Sequence, residues 1–199
     1  VYDNAMFIIA LDYLLEMAPD SPQASRWKSL REGIERNVRA HLWDVKRQKF
    51  IPHIYPEKSP IPEGFDELAI HYHGGTAIAI EAGLLSKDEI RTVNAQMLEN
   101  VRLSGMPSIG LTLYPVYPDG FFHGGMSKAY LYQNGGDWTW FGGRMIQQLV
   151  VNGMVEEAYA EIHPMIERVI QNDGFYEWYG KGGVPSGSGN FKGSAGVLS

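Results

Sequence analysis

Five carboxylates stand beside aromatic residues or at the starts of apolar segments: Asp3, Asp66, Glu67, Asp137 and Glu177. Acids beside aromatic planes suit work on a glycosidic bond. Its hydrolysis needs two flanking carboxyl groups, one to protonate the leaving oxygen and one to activate the attacking water. Glu177 lies between Tyr176 and Trp178 in a stretch with few other charges, the setting in which a carboxyl group is tuned for proton transfer. Its plainer role is a surface carboxylate in a hairpin. Asp3, Asp66 and Asp137 also have a plain alternative, as helix N-caps that accept from free backbone N–H groups.

The densest run of chemically able residues is Tyr132-Gln133-Asn134-Gly135-Gly136-Asp137-Trp138-Thr139-Trp140-Phe141-Gly142-Gly143-Arg144. Trp138 and Trp140 offer apolar faces, while Asn134, Asp137 and Arg144 offer directed hydrogen bonds, a combination that makes a sugar pocket. A plain core helix would not carry this many glycines, each of which costs about 1 kcal/mol against alanine. They suit a backbone that turns sharply beneath a flat ligand. The alternative is a helix start with aromatic core anchors.

Other chemistries find less support. His71 and His73, two residues apart on a helix, point to different faces, although Asp66 with His73, or Glu67 with His71, could share one. No His-Glu-x-x-His or similar spacing occurs, so no metal is expected. The chain lacks G-x-x-x-x-G-K-[ST], Gly187-Ser188-Gly189 is too short to cradle phosphate, and no cofactor is implied. The net charge is −6, which disfavours a nucleic-acid partner. No apolar run nears the length of a membrane span. There is no cysteine, which excludes disulfides and thiolate metal sites and leaves the compartment open. The chain opens at Val1 without Met, so a leader or a larger N-terminal part is expected to have been removed.

These residues must be positioned by helices. Apolar 4–17 reads as a helix buried on both sides, and 21–42 as an amphipathic one with Trp27, Leu30, Ile34, Val38 and Leu42 in a stripe. An extended Lys49–Tyr55 follows. A small-residue helix is predicted over 67–84, and an amphipathic one from a Ser86/Glu89 capping box to Leu103. After a long loop from Gly105 to Lys128, the Tyr132–Arg144 run opens an apolar helix that ends near Asn152. A further helix spans 154–171, kinked or restarted at Pro164. The extended Gly174–Tyr179 and a Gly/Ser-rich segment lead to a last helix start near Asn190. The unit of buried helix, amphipathic helix and extended loop recurs three times, at roughly 60–70 residues each. Buried helices would form an inner ring and amphipathic ones an outer ring, with the intervening loops converging on one cleft.

At Glu177-Trp178-Tyr179, Gly182-Gly183 and Gly187-Ser188-Gly189-Asn190-Phe191-Lys192-Gly193-Ser194-Ala195 the chain resembles the end of six-hairpin glycosidases, among them the glucoamylase, trehalase, processing α-glucosidase and glycogen-debranching groups. Tyr132–Trp138 similarly resembles the Asn-Gly-x-x-Trp segment of debranching enzymes and alkaline/neutral invertases. The resemblance implies an all-α helical-hairpin (α/α) toroid and an inverting hydrolase of α-linked glucosides or related oligosaccharides. It makes Glu177 the general base and Asp3, in Tyr2-Asp3-Asn4-Ala5, the general acid, with Asp66 and Asp137 as alternatives. Asp66, His73, Tyr132, Asn134, Asp137, Trp138, Trp140, Arg144, Trp178 and Lys192 would hold the sugar. Six hairpins need about twice this length, so the other half of the toroid is an expected partner. A phosphorylase, an epimerase or a polysaccharide lyase on the same fold, and a non-catalytic carbohydrate-binding module, are the competing readings.

Overall fold

A computed structural model of the chain describes residues 1–199. Seven α-helices carry it: α1 (Tyr2–Met17), α2 (Ala24–His41), α3 (His73–Glu81), α4 (Lys87–Ser104), α5 (Thr139–Val151), α6 (Val155–Gln171) and α7 (Lys192–Leu198). The strands are two-residue pieces in three antiparallel pairs. β1 (Trp43–Asp44) pairs with β2 (Lys49–Phe50), β3 (His71–Tyr72) with β4 (Leu113–Tyr114), and β5 (Trp178–Tyr179) with β6 (Pro185–Ser186).

The helices form two layers because their sequences bury different amounts of surface. α3 is apolar almost all round and buries His73, Gly74 and Thr76–Ile80. α4 and α6 bury one stripe each, Ile90, Val93 and Met97 on the first and Ala158 and Met165 on the second. α1, α3, α5 and α7 pack side by side as an inner row, and α2 and α6 pack outside α1 and α5. α4 joins the same core through Ile90, Val93 and Met97. The Ser86/Glu89 capping box expected at the start of α4 is present in both directions.

The inner helices begin at one level. A Cβ on Gly74, in the first turn of α3, would lie 2.7 Å from the Phe141 ring of α5. Gly75 lies against the Tyr2 backbone of α1, and Gly193 of α7 meets Trp140 of α5. These glycines therefore admit the neighbouring helix. Gly142 and Gly143 of the Tyr132–Arg144 run do the same, against Met165 and Val197, so the flat partner expected above them is another part of the chain. Parallel inner helices bring the three loops that lead into α3, α5 and α7 to one mouth.

Two predicted elements differ. The helix expected over 67–84 is interrupted: a 3₁₀ turn at Glu67–Ala69 gives way to β3, and α3 starts only at His73. Pairing of His71 and Tyr72 with Tyr114 and Leu113 fixes extended backbone where helix was expected. α6 runs through Pro164 without a restart. The proline removes one internal bond, but Ala158 and Met165 on either side keep both halves in the core.

The candidate active site

A cleft of about 490 Å³ opens at the mouth. Val1, which caps α1, and Tyr2 and Asp3 in its first turn line it, with Phe50 at the end of β2 and Ile51 to His53 beyond it, Tyr72 and Gly74 to Thr76 at the β3–α3 junction, and Gln133 and Phe141 on either side of the start of α5. Asp3 is exposed in the first turn of α1, where the helix dipole favours a carboxylate. The capping position of α1 is Val1, so Asp3 is not an N-cap. Asp66 precedes the 3₁₀ turn without making a capping bond, and its side chain is exposed.

Asp137 sits elsewhere. It is fully buried, accepts from the Ser108 hydroxyl at 2.7 and 2.9 Å, and pairs with Arg168 of α6 at 2.8 Å. Burial pushes its pKa up, while Arg168 and Ser108 pull it down. The Arg168 guanidinium also donates to the Thr139 hydroxyl at 2.8 Å and lies 4.0 Å over the Tyr179 ring. The Asp137 backbone exchanges two hydrogen bonds with Tyr179, its N–H donating at 2.9 Å and its carbonyl accepting at 2.8 Å. Asn134 has no accessible surface either. Its amide donates to the Tyr117 carbonyl at 3.1 Å and its oxygen accepts from the Tyr117 N–H at 3.0 Å. Asp137 and Asn134, read from sequence as sugar ligands, thus join the loops together. The signal was correct in locating a polar, glycine-rich turn, but its partners are within the chain.

The aromatic residues of this run divide. Trp138 is buried, donates its indole N–H to the Tyr132 carbonyl at 3.2 Å, and packs edge-on against Tyr132 and Phe191. Trp178 is buried next to Tyr132. Trp140 is partly exposed near Tyr2, with the Arg144 guanidinium 4.9 Å from its ring. Arg144 also bonds Glu81 of α3 at 2.6 Å, which ties two inner helices together. Lys192 is exposed at the start of α7.

Glu177 is half-buried just ahead of β5. Its N–H donates to the Ser188 carbonyl at 2.9 Å, and its carboxylate accepts from the Ser188 N–H at 3.4 Å. Gly187, at φ +72°, lies against that carboxylate, where any Cβ would collide with it. Asp3 lines the 490 Å³ cleft, and Glu177 lies outside its lining.

His73 is buried, and its Nε2 accepts from the Asn100 amide at 3.0 Å. Burial drives its pKa down to about 3, and that of His71 to about 4. Burial also lowers Lys49, which donates to the Ile70 carbonyl at 2.6 Å, to about 8. His73 is therefore a buried group tied to α4, outside the cleft lining, and does not face a sugar.

Sequence reasoning passed over one cluster. Glu67 accepts hydrogen bonds from the Tyr117 hydroxyl at 2.7 Å, the Tyr55 hydroxyl at 2.9 Å and His53 Nδ1 at 2.7 Å. The Tyr72 hydroxyl reaches Tyr117 at 2.8 Å. His53 and Tyr72 both line the cleft. The four partners come from three separate segments, and only the proline-flanked Lys49–Tyr55 stretch hinted at them.

No family model matches the chain, and no curated protein matches it. Solved structures do. The GH63 mannosylglycerate hydrolase from Thermus thermophilus aligns with a TM-score of 0.71 in complex with glucose and 0.64 in complex with Tris and D-glycerate, at 17% identity in both. Either alignment covers 98% of this chain and 43% of the other. An uncharacterized conserved protein from the same organism aligns with a TM-score of 0.72 at 17% identity, over 98% of this chain and 44% of the other. The chain thus spans less than half the length of the structures it matches. The likeness is one of fold: three helical hairpins and a seventh helix form part of an α/α toroid.

Proposed function

We propose that the chain is part of an inverting glycoside hydrolase acting on an α-linked glucoside or a related oligosaccharide. The observation that carries this reading is the cleft at the mouth, where the accessible carboxylate of Asp3 stands in the first turn of an inner helix among aromatic and polar walls. Fold alone does not give function. The reading gains support from the mannosylglycerate hydrolase of the same fold, solved in complex with glucose.

In this proposal Asp3 gives its proton to the glycosidic oxygen as the bond to the anomeric carbon breaks. Water adds to that carbon from the opposite face and loses its proton to Glu177, so the configuration inverts. Trp140, Lys192 and Asp66 have accessible side chains and contact the sugar, with Tyr132 alongside. Arg144 holds the Trp140 plane. Trp138, Trp178, Asn134, Asp137 and His73 act on the sugar only by holding the walls. α1 ends the inner row and exposes Phe7, Leu14 and Met17. Further hairpins packing on that face would complete the ring, in keeping with the greater length of the aligned structures.

Hydrolysis of α-glucosides, with the anomer of the fresh product read by proton NMR, tests the reading. Release of the β-anomer is expected, with loss of turnover but not of sugar binding in Glu177→Gln and Asp3→Asn. Unchanged turnover in Glu177→Gln would sink the assignment. A strict need for phosphate, an unsaturated product or an isomerised sugar would each move the reading to one of the other chemistries this fold hosts.

A further inference from the structure

We infer that Tyr72 forms a subsite of the cleft that accepts a hydrogen bond from a ligand hydroxyl group, and that Glu67, acting through Tyr117, is the positioning residue that sets this polarity. The inference rests on the carbohydrate reading above and says which face of the ligand this wall takes.

The polarity follows from counting protons. The Glu67 side chain is only 10% exposed, and three donors converge on it. Burial pushes its pKa up, but the bonds from Tyr117, His53 and Tyr55 outweigh this and leave it below the ordinary glutamate value. It is therefore an ionised carboxylate, which accepts only. His53 must place its proton on Nδ1 to make the 2.7 Å contact. Burial raises the Tyr117 pKa, so the phenol keeps its single proton and spends it on Glu67. The 2.8 Å contact between the two phenols then has Tyr72 donating to Tyr117. Tyr72, whose pKa burial raises to about 12, has no second proton and keeps a free oxygen lone pair.

The cleft wall at Tyr72 thus offers an acceptor, because the phenol's one proton is committed to Tyr117. The His53 ring packs edge to face against Tyr72 with centroids 5.8 Å apart. Apolar Phe50, Phe122, Met126 and Phe141 line the same cleft. A ligand that suits this surface has an apolar face and donates from a hydroxyl group at one edge.

The test uses the folded 199-residue chain, glucose, and the 2-, 3-, 4- and 6-deoxyfluoro glucoses, with affinity measured by ligand-observed NMR titration. Fluorine replaces a hydroxyl in size but cannot donate. At least one of the four analogues is expected to bind about tenfold more weakly than glucose, the loss that follows from leaving an acceptor unpaired. In Glu67→Gln the carboxamide also donates, which reverses part of the relay, and the penalty should shrink to about threefold or less. Tyr72→Phe removes one acceptor without touching Glu67 and should erase the penalty at the position facing it, which keeps the test decisive if Glu67→Gln folds poorly. Equal binding of glucose and all four analogues would refute the acceptor wall and leave the carbohydrate reading standing, as would an undiminished penalty in both variants. Failure of the folded chain to bind any of these sugars at concentrations on the order of 100 mM would remove the carbohydrate reading, and the subsite with it.

Discussion

Asp137, in the loop leading into α5, and Arg168, on the outer helix α6, form an ion pair of 2.8 Å with almost no access to water. Removing one member strands the other charge in the interior, at a cost of about 3–5 kcal/mol. Arg168→Met is therefore expected to lower the urea midpoint strongly, or to abolish folding. Asp137→Leu combined with Arg168→Met should be less damaging than either change alone, because no charge is then left unpaired. A single variant within about 0.5 kcal/mol of the parent would show that the pair does not hold these segments together.

Phe141 lies over Gly74 at a distance that leaves no room for a methyl group. Gly74→Ala is expected to destabilise the chain by about 1–3 kcal/mol through overpacking and to move Phe141 on the cleft wall. Gly74→Ala with Phe141→Leu should recover part of the loss. Chemical denaturation of the four proteins gives the coupling directly, and strict additivity would contradict the contact.

The His71 and His73 pKa values, lowered by burial to about 4 and about 3, make stability depend on pH in a definite direction. The folded state binds fewer protons than the unfolded chain, whose histidines titrate near 6.5. Their contribution is complete above that value and is lost as the pH falls through 6.5 toward 3. Urea midpoints at pH 7.5 and pH 5 should differ more in the parent than in a His73→Gln variant. The same difference in both would mean that His73 is not the buried neutral group described.

Gly187 makes room for the Glu177 carboxylate at φ +72°. Gly187→Ala should cost about 1–2 kcal/mol for the backbone conformation and also push the carboxylate aside. If Glu177 is the base, kcat falls by far more than the stability change explains, with sugar affinity nearly intact. A variant with full kcat would separate Glu177 from the chemistry.

Features written within a few residues were legible in the sequence. The capping box at Ser86 and Glu89, the one-sided stripes of α4 and α6 and the apolar inner helices all follow from local periodicity. Partners far apart in the chain were not. Nothing near Asp137 announces Arg168, and nothing near Glu67 announces Tyr117, so the sequence alone presents a buried tie as a sugar ligand and a hydrogen-bond hub as one carboxylate among five. The glycines at 142 and 143 carry a real signal of close approach, to Met165 of α6 and Val197 of α7. The sequence could not tell a neighbouring helix from a ligand.

The reciprocal hydrogen bonds between Asp137 and Tyr179 also bear on dynamics. Each amide proton is held by the other residue's carbonyl, so neither can be released while the partner stays closed. The lead-in loops of α5 and α7 should therefore open as one cooperative unit. In native-state hydrogen exchange the two amides should share a single opening free energy and respond alike to denaturant, so the mouth loosens as a whole and not one loop at a time.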